Sequence, residues 1–327
     1  MAQEIFLPSL GINCRGEALT ENIVHSFIKG IGLPEKENNL VLLSDQRFRL
    51  KKEIVLNSLV DDQESLLGSG AYSWIIPGYD NETKREVALK MMKWSFANDD
   101  SVVEGFAREA RLMLALDHPN ILPIYGLTVI NVYVKAIPAI IMEKADGNLQ
   151  DERNLSPQLI SEAVLSIAGV LDYLKEKKVV YADVCPSNIL IKEKNFFLGD
   201  FGSSIDLSGV DRILSHWDYA SPELMRCSTG CMGGRRAYPH DLVQADQHAL
   251  AAMAFELLTQ ESSMIIWRTL GGEGATEHRE PNIVLNSAGR LDPEIYRVLS
   301  KATSYDHKNR YGSCVDFALA LKEVIGD

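Results

Sequence analysis

The sequence is poor in cysteine, with five in 327 residues, at positions 14, 185, 227, 231 and 314. So sparse and odd-numbered a set does not build a disulfide framework; it suits reduced thiols in a cytoplasmic, reducing compartment. Cys227 and Cys231 have no second pair at zinc spacing, so no structural zinc is expected there. Positive charge is also scarce: 33 Lys and Arg face 45 Asp and Glu, a formal net charge of −12. That balance argues against general binding to nucleic acid or to anionic membrane. Long apolar runs are missing as well. Residues 1–7 show neither the basic start nor the apolar stretch of a signal peptide. The most apolar segment, 247–258, is too short and too interrupted by His248 and Glu256 to span a bilayer. No repeat or low-complexity tract appears.

The chemistry is concentrated in short stretches. Tyr181-Ala182-Asp183-Val184-Cys185-Pro186-Ser187-Asn188 is followed, twelve residues after its Asn, by Asp200-Phe201-Gly202. These carboxylates and the amide are hard oxygen donors, the kind Mg²⁺ takes beside phosphate oxygens. Upstream, Leu67-Gly68-Ser69-Gly70-Ala71-Tyr72-Ser73-Trp74-Ile75 reads as a glycine-rich strand-turn-strand, and Val87-Ala88-Leu89-Lys90 as an alternating strand ending in Lys. Glu109 comes nineteen residues after Lys90. It lies where Phe106, Ala110, Met113 and Leu114 recur at helical spacing, which places it near the edge of that helix's buried face.

Other segments frame these. His118-Pro119-Asn120-Ile121-Leu122 ends the helix and begins a strand, since Pro disfavours helix in the residue before it. Ile140–Ala145 is an apolar strand running into a linker. Ser156 as cap, Pro157 in the first turn and the stripe Ile160, Val164, Ile167, Leu171, Leu174 predict a helix over 156–177. Segment 246–258 is apolar on nearly every face and belongs inside a core.

Taken together, these motifs resemble the eukaryotic-type protein kinase family over roughly residues 62–327, nearer its Ser/Thr branch because of Pro186-Ser187-Asn188. The resemblance implies an α+β, bilobal protein kinase fold. The β-rich small lobe would span 62–143 and the mainly helical large lobe 144–327, with 1–61 an extension of unknown role. It implies ATP with Mg²⁺ (or Mn²⁺) as cofactors and a protein substrate or protein partner; the oligomeric state is left open. Asp183 would be the base for the incoming hydroxyl, with Asn188 and Asp200 on the metal. Gly68, Ser69 and Gly70 would approach the phosphates. Lys90, fixed by Glu109, would contact them. Ile75, Ala88 and Leu190 would sandwich the adenine, Met142 would stand behind it, and backbone groups of Glu143 and Ala145 would face its edge. Asp246 would anchor the catalytic loop's backbone. Glu223, in Ser221-Pro222-Glu223, would pair with Arg310.

The departures from the pattern are as informative. Tyr181-Ala182 stands where His-Arg is usual, making this a non-RD loop, and Ser73 replaces a third glycine. The lost Arg implies activity independent of activation-segment phosphorylation at Ser203, Ser204, Ser208, Ser215 or Tyr219. Cys185 stands where a Lys normally neutralises the transferred phosphate. Losing one such donor typically costs ~3 kcal/mol, or ~10²-fold in rate. Two readings follow: an ATP-dependent kinase acting on Ser/Thr hydroxyls, slow because of Cys185, or a nucleotide-binding pseudokinase acting as scaffold or allosteric regulator. Cys185 itself reads as an oxidation or alkylation site beside the phosphates.

Outside the resemblance, Ile23, Phe27 and Ile28 suggest a short helix over 21–28, and Leu40–Leu43 and Phe48–Val55 suggest strands. They could pack on the small lobe or dock a partner. The glycine-rich, basic stretch 227–236 is an insertion that could shape a substrate groove, bind a phosphate or acidic partner, or be a surface loop.

Overall fold

The computed structural model describes residues 6–7, 12–13, 48–50, 66–96, 99–132, 135–207, 219–228, 242–260 and 291–326. The helix expected over 21–28, the strand over 40–43 and most of the 227–236 stretch lie outside them. The chain forms two compact units, one of residues 1–117 and 122–145, the other of residues 118–121 and 146–327.

The first unit is β-rich. Its strands are β1 (Phe6–Leu7), β2 (Ile12–Asn13), β3 (Phe48–Leu50), β4 (Gly68–Ser69), β5 (Ser73–Asp80), β6 (Arg85–Met92), β7 (Ile124–Val132) and β8 (Lys135–Glu143). β1 and β2 pair only with each other, while the rest form one antiparallel sheet in the order β3-β5-β6-β8-β7, with β4 also on β5. The β5–β6 turn is closed by Asp80, whose carboxylate accepts from Glu82 N at 2.9 Å and Thr83 Oγ1 at 2.7 Å. Within the segment outside the resemblance, Phe48–Leu50 adds to the edge of this sheet, with Phe48 opposite Asp80. Helix α1 (Asp100–Ala115) is capped by Asp99, which accepts from Ser101 N at 3.0 Å. Its Val103, Phe106, Ala107 and Ala110 join Trp74, Ile76, Val87, Leu89 and Met91 in one core.

The second unit is mainly helical. It contains β9 (Gly147–Asn148), α2 (Pro157–Glu176), β10 (Val179–Val180), β11 (Ile189–Lys192), β12 (Asn195–Leu198), β13 (Ile205–Asp206), α3 (Pro222–Ser228), α4 (Ala245–Thr259), α5 (Pro293–Ala302) and α6 (Cys314–Ile325). The α2 boundaries follow the sequence reading, with Ser156 Oγ accepting from Leu159 N at 3.2 Å and the predicted stripe buried. α4 is buried on all sides from Ala245 to Phe255. Asp172 on α2 accepts from Cys314 N and Val315 N at 2.9 Å each, capping α6 from a neighbouring helix. The strand expected to begin at Ile121 starts later, at Ile124; Ile121 makes a single bridge to Leu198. Among the described residues no helix is long and apolar enough to cross a membrane. A β-rich unit and a mainly helical one make the α+β class expected from the sequence.

Candidate active site

In the β-rich unit, strand register gathers several of the expected residues. Ile75 lies opposite Lys90, Ala88 lies opposite Met142, and Ala88 and Lys90 are two apart on β6. Paired residues share a face and side chains alternate along a strand, so all four stand on one face of the sheet. Gly68 is paired with Ile75 beside them, and Ser69 and Gly70 are exposed at the turn. Gly70 N donates to Ser73 O at 2.9 Å, closing that turn. A Cβ at Gly70 would meet only Ser73, at 3.5 Å or more, so the chain's own packing does not require glycine there.

Lys90 Nζ donates to Glu109 Oε1 at 2.5 Å, and the two residues are 5% and 4% exposed. Glu109 therefore sits deeper than the helix-edge position its spacing suggests. The ammonium beside it is what makes a buried carboxylate tolerable, since either charge alone would be strongly destabilising. At the end of β8, Glu143 N donates to Pro123 O at 2.9 Å, and the Glu143 carboxylate accepts from Tyr125 Oη. The Glu143 N–H is thus engaged within the chain; Ala145, two residues on, is half-buried.

In the helical unit the loop after β10 is held from below by α4. Tyr181 N and Ala182 N donate to the two carboxylate oxygens of Asp246, both at 2.8 Å. Ala182 has φ 67°, a left-handed conformation that costs a non-glycine residue of order 1–3 kcal/mol unless its surroundings impose it. The two bonds to Asp246 do so. Burial pushes the Asp246 carboxyl up to about 6, against the downward pull of the Ala182 and Tyr181 amides.

Next along the loop, buried Asp183 is oriented by Asn188, whose Nδ2 donates to Asp183 O at 2.9 Å and to Asp183 Oδ2 at 3.1 Å. With its nitrogen so engaged, Asn188 has its carbonyl oxygen to offer a cation. Asp200 is exposed, has φ 46°, and accepts from Gly202 N at 3.1 Å. The left-handed bend thus falls on Asp200 itself. Tyr181 packs edge-on to Phe201, with centroids 5.3 Å apart, and its hydroxyl donates to Gly199 O. At Gly199 a Cβ would come within 2.7 Å of Leu190 Cδ1, so any larger residue there would have to displace the Leu190 side chain.

Among the described residues no group of three or more His, Cys, Asp or Glu could cage a metal. Asp200 and Asn188 carry hard oxygen donors of the kind Mg²⁺ takes, an ion that holds few protein ligands and completes its shell with water and phosphate.

A family model for the protein kinase domain matches residues 62–318. The chain belongs to the protein kinase family. It is similar to the serine/threonine-protein kinase PrkC of Bacillus subtilis, at 28% identity over 79% of this chain and 39% of that protein. It is similar also to the serine/threonine-protein kinase PknF of Mycobacterium tuberculosis, at 28% identity over 80% of this chain and 55% of the relative. With the serine/threonine-protein kinase PknB of Mycolicibacterium smegmatis it shares 26% identity over 79% of this chain and 42% of the relative. The chain thus spans about two fifths to just over half the length of these relatives.

The structure also changes the sequence expectation for Cys185. Cys185 is 3% exposed, and burial, with the charge of Asp183 second, pushes its thiol up to about 11. A buried neutral thiol, 3.2 Å from Ser187 Oγ, is a poor target for oxidation or alkylation. The motif spacing also misses two contacts. Ser203 Oγ lies 3.5 Å from Asp183 Oδ2, and Lys93 Nζ donates to Gly70 O at 2.6 Å. A hydroxyl one residue past Asp200-Phe201-Gly202 and a second Lys three residues past Lys90 were the available signals.

Proposed function

We propose that this kinase-family chain is an ATP- and magnesium-dependent protein kinase acting on Ser/Thr hydroxyls. The observation that carries the reading is the Asp183–Asn188 arrangement. One amide both orients the base and keeps an oxygen for the metal, a provision a chain used only as a scaffold does not need. The turn at Gly68–Gly70 and Lys90 would hold the phosphates. Glycine at 70, which packing does not require, would serve ligand approach. Asp200 and Asn188 would hold Mg²⁺, which neutralises phosphate charge; Asp183 would accept the proton of the attacking hydroxyl. On the adenine edge, the Ala145 backbone is the better donor, because the Glu143 N–H is already taken.

Independence from activation-segment phosphorylation is part of this proposal. Ala182 offers no charge to a phosphate, Ser204 is buried with its hydroxyl 3.4 Å from Tyr181 O, and Tyr219 Oη donates to Glu256 at 2.9 Å. Ser208 and Ser215 lie outside the described residues. Activity that appears only after phosphorylation of Ser203, Ser204, Ser208, Ser215 or Tyr219 would overturn the point.

The second reading, a nucleotide-binding pseudokinase, is favoured by one observation: buried, uncharged Cys185 in place of the phosphate-neutralising Lys. Transfer of labelled γ-phosphate from ATP with Mg²⁺ or Mn²⁺, comparing wild type with Asp183→Asn and Asp200→Ala, decides between them. Incorporation lost in both variants supports the kinase. No transfer, with nucleotide-dependent thermal stabilisation that requires Lys90, supports the pseudokinase.

A further inference from the structure

Lys93 follows β6 directly, three residues beyond Lys90. Strand alternation sends the two lysines to opposite faces. Lys90 shares its face with Ile75, whereas the Lys93 ammonium lies 5.7 Å over the ring of Trp74, which is paired with Met91 on the other face. From there it reaches the crest of the glycine-rich turn. Lys93 Nζ donates to Gly70 O at 2.6 Å and stands 3.3 Å from Ala71 O, and the Lys93 backbone N–H donates to Tyr72 O at 2.8 Å. Three successive carbonyls of the turn are therefore held by one residue.

We propose that Lys93 is a positioning residue for phosphate binding, acting through the backbone of the turn without touching the ligand. Two physical effects follow from the geometry. Drawing the Gly70, Ala71 and Tyr72 carbonyls toward one side aims the amides of the same peptide units the other way. An ammonium on a peptide carbonyl also polarises that unit, so the N–H groups of Ala71 and Tyr72 become stronger donors to an anion. The turn gains a fixed positive charge behind it in a chain whose net charge is −12 and whose catalytic loop lacks the usual Lys. The remainder of the turn is pinned in the same sense: Gly70 N bonds to Ser73 O, and Tyr72 packs edge-on against Phe96 at 5.1 Å.

This inference rests on the reading that the turn binds the phosphates of ATP. The test measures affinities of the full chain for Mg·ATP and for adenosine, which has no phosphate, by calorimetry. Wild type, Lys93→Met and Lys93→Arg are compared. Lys93→Met is expected to weaken Mg·ATP roughly tenfold, the scale of one lost charge-assisted hydrogen bond, and to leave adenosine unchanged. Lys93→Arg, which keeps the charge and the donors, is expected to recover most of the loss. An equal loss for both ligands, or an undiminished preference for ATP in Lys93→Met, overturns the role of Lys93. A wild type with no preference for ATP over adenosine overturns the nucleotide reading itself.

Discussion

Arg310 and Glu223, 87 residues apart, meet through two hydrogen bonds of 2.6 and 2.9 Å inside the helical unit. Burial opposes ionisation of Glu223, and the hydrogen bonds and charge of Arg310 overcome it, holding the carboxyl below its usual range. Arg310 also donates to Ser304 O and Gln244 O, so one guanidinium ties three segments together. Removing one partner of a buried pair strands the other charge, at about 3–5 kcal/mol. Arg310→Met should therefore destabilise by that order in urea unfolding. The double variant Arg310→Met/Glu223→Gln should be more stable than the sum of the two single losses. Strict additivity would show that the pair is not coupled.

The Lys90–Glu109 pair makes a similar demand on the β-rich unit, with a different readout. In Glu109→Ala the ammonium loses its carboxylate partner while remaining buried. ATP affinity should fall roughly tenfold or more, and thermal stability should fall with it. Glu109→Gln, which keeps an acceptor oxygen, should lie between. Unchanged ATP affinity in Glu109→Ala would remove Lys90 from the proposed phosphate contacts.

His248 predicts a pH dependence. It is buried beside Arg310 and Glu223 on α4, neither ring nitrogen makes a well-formed hydrogen bond, and the Tyr219 backbone is the other polar group acting on it. Burial, with Arg310 second, lowers its pKa from 6.5 to about 4. The fold thus favours the neutral ring. Its contribution is full above pH 6.5 and is lost as pH falls toward 4, by up to about 3 kcal/mol. Asp246 runs the other way: its carboxyl, raised from 3.8 to about 6, is most favourable below pH 4 and loses stability as pH rises to 6. The two offset each other in wild type. In His248→Leu only the Asp246 effect remains, so the variant should gain stability relative to wild type as pH falls from 6.5 to 4. Urea midpoints across that range, parallel for the two proteins, would contradict this.

Cys185 should resist alkylation. Its thiol is enclosed and raised to about 11, so at pH 8 the thiolate is a minor species behind a closed surface. Peptide mapping after iodoacetamide treatment should find Cys185 unmodified in the native chain and modified in urea. Rapid native labelling would place the thiol in the open, as the motif spacing alone suggests.

The sequence made the chemistry more legible than its supports. Asp183, Asn188 and Asp200 are recognisable because the kinase pattern fixes residue type and spacing together. Helices α2 and α4 are legible because a cap, a Pro and apolar periodicity are local signals. Depth is not local. Glu109 reads as an edge residue until Lys90 is placed against it, and Cys185 reads as accessible although the folded chain leaves it 3% exposed. The same holds for Lys93, whose partners lie 22 and 23 residues earlier in the chain, and for Phe48–Leu50, which precede the kinase-like pattern yet pair with β5. Such contacts depend on strand register, which a single short strand does not specify.

The grip of Asp246 on the amides of Tyr181 and Ala182 ties the catalytic loop to α4, which is buried from Ala245 to Phe255. Those two protons cannot reach water while α4 stays packed, so they exchange with deuterium only when the helical unit opens as a whole. The loop to which the chemistry is assigned in the proposed function thereby reports the lifetime of the surrounding fold, and a slow clock for that entire unit can be read at two peptide groups.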